Sequence, residues 1–192
     1  MKPVEATFNE SEDGFTPTVE GTYPAHITTF ESREYNQSKV FNLSFTIAEE
    51  VGKLDVPKLA KDGNGGWIQA INSDGTPQTV NAGHMAGNMY RIDKGVWLTP
   101  NPTKGEGWKN RRYKEFFENI GVTFPQDDEG NVTLGEIEKD DVIGLPCLVE
   151  LRETSFTNSE GKKRTAMKVT DVYPWGDGQK LSEDEIAEDV PF

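Results

Sequence analysis

A single cysteine, Cys147, stands among the 192 residues, so no internal disulfide can staple the fold and the core must come from packing alone. Histidine is as scarce. His26 and His84 lie far apart with no cysteine beside either, which argues against a zinc site and gives no metal or cofactor to expect. No apolar run approaches the ~18 residues that a membrane span needs. The opening Met1-Lys2-Pro3-Val4-Glu5 lacks the basic and apolar regions of a signal peptide, so a cytoplasmic protein is expected. Positive charge is also in short supply: 20 Lys and Arg face 33 Asp and Glu, a net charge of −13. Residues 177–192 hold six of these acids and one base, which accounts for −5 and leaves the rest of the chain at −8. Any polyanion must therefore meet a local basic surface, with the acids placed elsewhere. Catalytic signatures are missing too. Gly63-Asn64-Gly65-Gly66 is not followed by Gly-Lys-Ser/Thr, so it forms no phosphate loop, and no nucleophile elbow occurs.

What is present reads mainly as β structure. Residues 1–19 carry Glu5, Glu10, Glu12 and Asp13 with no sustained period and read as a flexible arm. After Gly21, Tyr23, Ala25, Ile27 and Thr29 alternate with their neighbours, and Phe41, Leu43, Phe45 and Ile47 share one face of the segment 40–47. Period two with β-branched and aromatic residues predicts two half-buried strands. Residues 31–39 between them read as a polar loop bearing Arg33, Tyr35 and Lys39. From about 52 to 100 the pattern weakens, and repeated Gly, Asn, Asp and Pro breakers predict a loop-rich insertion around a third strand, itself interrupted near Lys94-Gly95.

One helix is expected over 108–120, where Tyr113, Phe116, Phe117 and Ile120 fall at i, i+3, i+4 and i+7 and Gly121 is placed to end it. Its other face carries Lys109, Arg111, Arg112 and Lys114, a charge run of the kind that is usually a solvated face. An acidic connection over 126–141 leads to a long hairpin. Its strands span 145–156 and 162–173, and Asn158-Ser159-Glu160-Gly161 makes the turn. Leu145, Cys147, Val149 and Leu151 alternate toward a core, which puts Arg152 and Arg164 on the opposite face and Phe156, Lys162 and Lys163 near the tip. Phe41, Phe45, Phe116 and Phe117 are assigned to the core by periodicity.

Residues 177–192 are dense in carboxylates and poor in large apolar side chains, and should stay disordered alone. They end in Asp189-Val190-Pro191-Phe192, an aromatic tip with a stiffened approach, suited to an apolar pocket with a basic rim on another protein. This ending resembles the acidic tails of bacterial and phage single-stranded DNA-binding proteins, which finish in Asp-Ile-Pro-Phe or close variants; Val190 stands where isoleucine is usual. The element order, strand, loop, strand, broken third strand, helix, long hairpin, is that of the five-stranded OB-fold barrel with its helix between strands three and four. Over residues 21–175 the chain is similar to phage-encoded OB-fold single-stranded DNA-binding proteins. The resemblance implies an OB-fold domain over 20–176, with an insertion at 52–100 and an interaction tail over 177–192.

It also implies a non-enzymatic function: sequence-independent binding of single-stranded DNA in phage replication or recombination, with the tail recruiting replication and repair proteins. Single strands are held by stacking bases on aromatic rings while Lys and Arg follow the phosphates. The candidates for that surface are Arg33, Tyr35, Lys39, Trp67, Tyr90, Trp97, Arg152, Phe156, Lys162, Lys163 and Arg164, and those for partner docking are Asp189, Val190, Pro191 and Phe192. Two other readings compete. A barrel that only presents its tail to other proteins, never touching DNA, fits the acidic body. A Mg2+-dependent nuclease would use Asp140, Asp141 and Glu150-Leu151-Arg152, but the lysine such sites need is replaced by Arg152.

Overall fold

The computed structural model describes residues 17–64, 66–103, 105–182 and 185–186. Strands β1 (Gly21–Tyr35) and β2 (Ser38–Ile47) form an antiparallel hairpin. Tyr23, Ala25, Ile27, Phe41, Leu43, Phe45 and Ile47 are buried, as their alternation predicts. The polar loop expected over 31–39 is instead mostly strand. Pairing continues to Tyr35 opposite Ser38, and the chain reverses at Asn36 and Gln37, with φ of 47° and 64°. Positive φ at both central residues is the two-residue turn whose twist matches a hairpin. Residues 31–37 are exposed, so this extension carries no apolar alternation to announce it.

The insertion is a nested arm rather than loose loop. After a 3-10 turn at Glu49–Lys53, β3 (Asp55–Pro57) pairs with β6 (Thr79–Asn81), and β4 (Leu59–Lys61) pairs with β5 (Trp67–Gln69) inside that frame. A second 3-10 turn, Ala82–Met85, closes it. Val51, Val56, Ala82 and Met85 are buried and join the base of the arm to the core, whereas Trp67, Ile68 and Ile71 stay exposed. The third strand is interrupted where the sequence predicts it. Strand β7 (Met89–Arg91) pairs with residues 44–46 of β2, β8 (Val96–Leu98) pairs with residues 39–41, and Lys94 and Gly95, at φ of 60° and 65°, turn the corner between them.

Helix α1 (Gly107–Asn119) packs Tyr113, Phe116 and Phe117 against the sheet. Its rings meet Phe41 and Phe45, with centroids 5.5 Å apart for Phe41 and Tyr113 and 6.5 Å for Phe45 and Phe116. Gly121, at φ 93°, lets the chain leave the helix. The short helix α2 (Lys139–Val142) then precedes the long hairpin of β9 (Pro146–Thr157) and β10 (Lys163–Tyr173). The main sheet runs β10-β9-β1-β2-β7, with β8 also on β2. One parallel bridge, Ile92 to Val169, joins the segment after β7 to β10, and the Asp93 N–H donates to the Val169 carbonyl at 2.8 Å. Cys147 is buried, as expected, and burial pushes its thiol up to about 12.

Both ends of the body depart from the sequence reading. The arm expected over 1–19 already touches the body at its end, where Val19 packs on the core and its carbonyl accepts from the Tyr23 hydroxyl at 2.7 Å. The acidic tail, expected to be disordered from 177, first returns to the body. The Leu181 N–H donates to the Gly144 carbonyl at 3.0 Å, His26 Nε2 donates to the Gln179 carbonyl at 2.9 Å, and Ile186 is only 8% exposed. Among the described residues of this stretch, the apolar side chains Leu181 and Ile186 reach a surface left open beside Ile143 and α2, which the tail's composition alone does not reveal. No helix among the described residues is long and apolar enough to cross a membrane.

Candidate functional site

The kink at Lys94 and Gly95 builds the principal cleft. It aims β8 so that Trp97, opposite Val40 on β2, lies half-buried beside the tip of the first hairpin. Its indole Nε1 donates to the Lys94 carbonyl at 2.9 Å, and Tyr35 meets its ring edge-on, with centroids 6.0 Å apart and planes at 86°. The end of β8 is fastened to α1 by Asn110, which accepts from the Thr99 N–H and donates to the Thr99 carbonyl, both at 2.8 Å. This fastening brings the first turn of α1 alongside, so Trp108 and Lys109 line the same cleft of about 740 Å3. Tyr35 is 61% exposed and Trp108 56%, a high value for such large rings.

Charge in the cleft is tightly coupled. Lys109 Nζ sits 5.6 Å over the Trp97 ring and 2.7 Å from Glu106 Oε1. The other oxygen of Glu106 accepts from the Thr103 hydroxyl at 2.7 Å and the Thr103 N–H at 3.1 Å. The Lys109 hydrogen bond, followed by those from Thr103, holds the Glu106 carboxyl far below the usual range, at about 2.

A second station repeats this grouping on the long hairpin. Lys168 Nζ lies 5.3 Å over the Phe156 ring and 3.3 Å from Asp93 Oδ1. Arg164 is the cross-strand partner of Phe156. The stations are contiguous through the corner residues, since the other Asp93 oxygen lies 3.9 Å from Nζ of Lys94, which lines the cleft. Aromatic rings and cations thus follow one another from Tyr35 and Trp97 through Lys94 and Lys168 to Phe156.

The structure brings Tyr35, Trp97, Phe156 and Arg164 onto this track; Arg33 and Arg152 stand beside it paired with acids, and the other candidates lie elsewhere. Arg33 is highly exposed beside Glu31, 3.1 Å away, and stands opposite Val40, itself opposite Trp97, so it shares the sheet face of the cleft and extends it toward Asn42 and Arg91. Lys162 is paired with Glu160 at 3.1 Å near the exposed hairpin tip, where Lys163 is also exposed. Lys39 points away to Glu136, whose hydrogen bond raises its pKa. Tyr90 packs against the core and bonds Thr18. Trp67 stands on the β4–β5 arm under Lys61, 5.6 Å from its ring. Arg152 stands opposite Lys168 across the hairpin and is held by Glu150 at 2.6 Å and Glu20 at 3.3 Å, and both raise its pKa. Asp189, Val190, Pro191 and Phe192 lie outside the described residues.

Sequence reasoning missed Trp108, Lys94, Lys109 and Lys168 as site residues. Lys109 carried a signal as part of the helix's basic face, and Lys168 as part of the hairpin's outward face with Glu150, Arg152 and Arg164. The rest of the helix face is largely spent on structure: Lys114 pairs with Glu118 at 2.7 Å, and Arg112 donates to the Thr170 carbonyl at 3.2 Å. Of the acids weighed for a nuclease, Asp141 accepts from the Glu138 N–H at 3.1 Å and Glu150 is engaged by Arg152. Among the described residues no three or more His, Cys, Asp or Glu side chains converge on a common point. No family model matches the chain, and no curated protein matches it.

Proposed function

We propose that this protein binds single-stranded DNA with little regard to sequence and serves phage-type replication or recombination, its acidic tail recruiting partner proteins through Phe192. The observation that carries the reading is the cleft itself. Two largely exposed rings, Tyr35 and Trp108, stand beside Trp97 with Lys94 and Lys109 at hand, and a line of contacts continues to Phe156. An exposed ring offers a base ~1 to 3 kcal/mol of stacking, whichever base it is, and a strand is the ligand that supplies bases and phosphates in alternation. The acidic body is compatible with such a role because Lys94, Lys109, Lys168 and Arg164 stand beside the rings of this track.

The same reading takes the fold as an OB barrel of five strands: β1, β2, the kinked β7–β8 pair, β9 and β10. In favour are the helix α1 between third and fourth strands, the pairing of the first strand with both second and fourth, and the parallel bridge between Ile92 and Val169 linking third and fifth. The cleft then lies beside the loop joining strands one and two, and Phe156 lies on the arm leading to the loop joining strands four and five, the two loops that flank an OB-fold ligand.

The test is a fluorescence-polarisation titration with a labelled ~30-nucleotide oligo(dT) strand and a matching duplex at two salt concentrations. The expected result is tight single-strand binding, weak duplex binding, and a loss of about tenfold or more on changing both Tyr35 and Trp108 to Ala. Absence of single-strand binding at low salt would overturn the reading and leave the protein-only adaptor.

A further inference from the structure

The two stations share an arrangement that simple stacking platforms do not need. In each, a lysine lies over an aromatic face while a carboxylate holds its ammonium: Glu106, Lys109 and Trp97 in the cleft, and Asp93, Lys168 and Phe156 on the hairpin. In each set the ring comes from a different element than the acid that holds the lysine. Trp97 is on β8 and Lys109 on α1, with Glu106 just before that helix; Phe156 is on β9, Lys168 on β10, and Asp93 at the corner after β7. In both, the ammonium occupies the space a stacked base would take. Its charge is already matched by an acid, so it offers little to a phosphate.

We infer that Glu106 and Asp93 are built-in competitors of the DNA backbone, each holding a lysine as a latch over the ring that a base will occupy. On binding, each lysine exchanges its carboxylate for a phosphate oxygen, and the base takes the uncovered ring face. No covalent bond changes; one ion pair is replaced by another. This rests on the proposed single-strand binding and adds its regulation. The latches lower affinity and flatten its salt dependence, because part of each lysine's attraction to phosphate is offset by a carboxylate that must be left behind. They also give the acids within an acidic protein's binding track a purpose. A ligand without a densely charged backbone, such as an exposed apolar segment of another protein, does not draw the lysines aside and finds the rings covered.

The experiment measures affinity for the same oligo(dT) across a salt series with the full chain and with E106Q, D93N and the double variant. Gln and Asn keep the shape and a hydrogen-bond acceptor while removing the charge, and near-ultraviolet circular dichroism checks the fold. Each single variant is expected to bind about two- to fivefold tighter at low salt, the range of one exposed ion pair. Each should also steepen the plot of log affinity against log salt by up to about 0.7, the increment for one further phosphate contact on a single strand. The double variant should do roughly both. If E106Q does not fold, D93N reads the hairpin latch alone. Unchanged or weaker binding by the folded variants, or an unchanged slope, overturns the latch while single-strand binding stands. No binding by the unaltered chain overturns both.

Discussion

Glu106 accepts three hydrogen bonds at once, from Lys109 and from the hydroxyl and N–H of Thr103, and this is why its carboxyl is held at about 2 instead of near 4.5. A carboxyl whose pKa is depressed on folding contributes stability that is complete above its unfolded value. That contribution is lost as pH falls through the folded value. The expected outcome is a melting-temperature gap between the unaltered protein and E106Q that is constant at neutral pH, narrows below about 4.5 and closes near 2. Melting curves at several pH values check it, and the gap should shrink in high salt because the pair faces solvent. None of this was legible at the residue level. Glu106 and Lys109 are ordinary neighbours in sequence, and only the arrival of Trp97 from another element sets their pairing beside an aromatic ring.

Among elements, the corner between β7 and β8 has the tightest geometric requirement. Gly95 adopts φ of 65°, and a Cβ there would lie 2.7 Å from Val40 Cγ2 and 3.0 Å from the Phe41 carbonyl oxygen. Gly95→Ala should therefore cost about 1–3 kcal/mol in stability by chemical denaturation. It should also weaken oligonucleotide binding by shifting Trp97, the side chain that Tyr35 and Lys109 rest on. This interruption was legible because glycine in an otherwise apolar run marks a bend. The long first hairpin was not, since β1 beyond Phe30 has no buried face to impose alternation. The nested β3–β6 and β4–β5 arm escaped for a similar reason: its strands are three residues each, too short for a period to register.

For the whole molecule, the decisive contact is between the start of the acidic tail and the body. Leu181 and Ile186 pack beside Gly144 and α2, and the Lys180 ammonium donates to the Asp140 carbonyl at 3.4 Å. A truncation that ends after residue 186 keeps Leu181 and Ile186 in place and serves as the reference. Removing 177–192 should lower stability by about 2–4 kcal/mol, the scale of uncovering two aliphatic side chains. Thermal melts of the two truncations check this. A truncation meant to ask what the acidic tip does to DNA affinity therefore has to end after residue 186, or it measures a damaged body.

By itself, the sequence determined the mainly β class, the helix over 108–120 with Phe116 and Phe117 on its buried face, the long second hairpin and the core alternation of β1 and β2, because periodicity records which face meets the interior. Residue types also nominated Tyr35, Trp97, Phe156 and Arg164, which the fold sets along one line of contacts. The tertiary structure alone decided that Trp108 and Lys109 stand beside Tyr35 and Trp97, that Lys168 covers Phe156, that Lys39 and Arg152 are taken up by acids, and that Leu181 and Ile186 return to the body. Those outcomes depend on pairings between residues distant in the chain. An exposed side chain has no local pattern to say which partner the fold will bring to it.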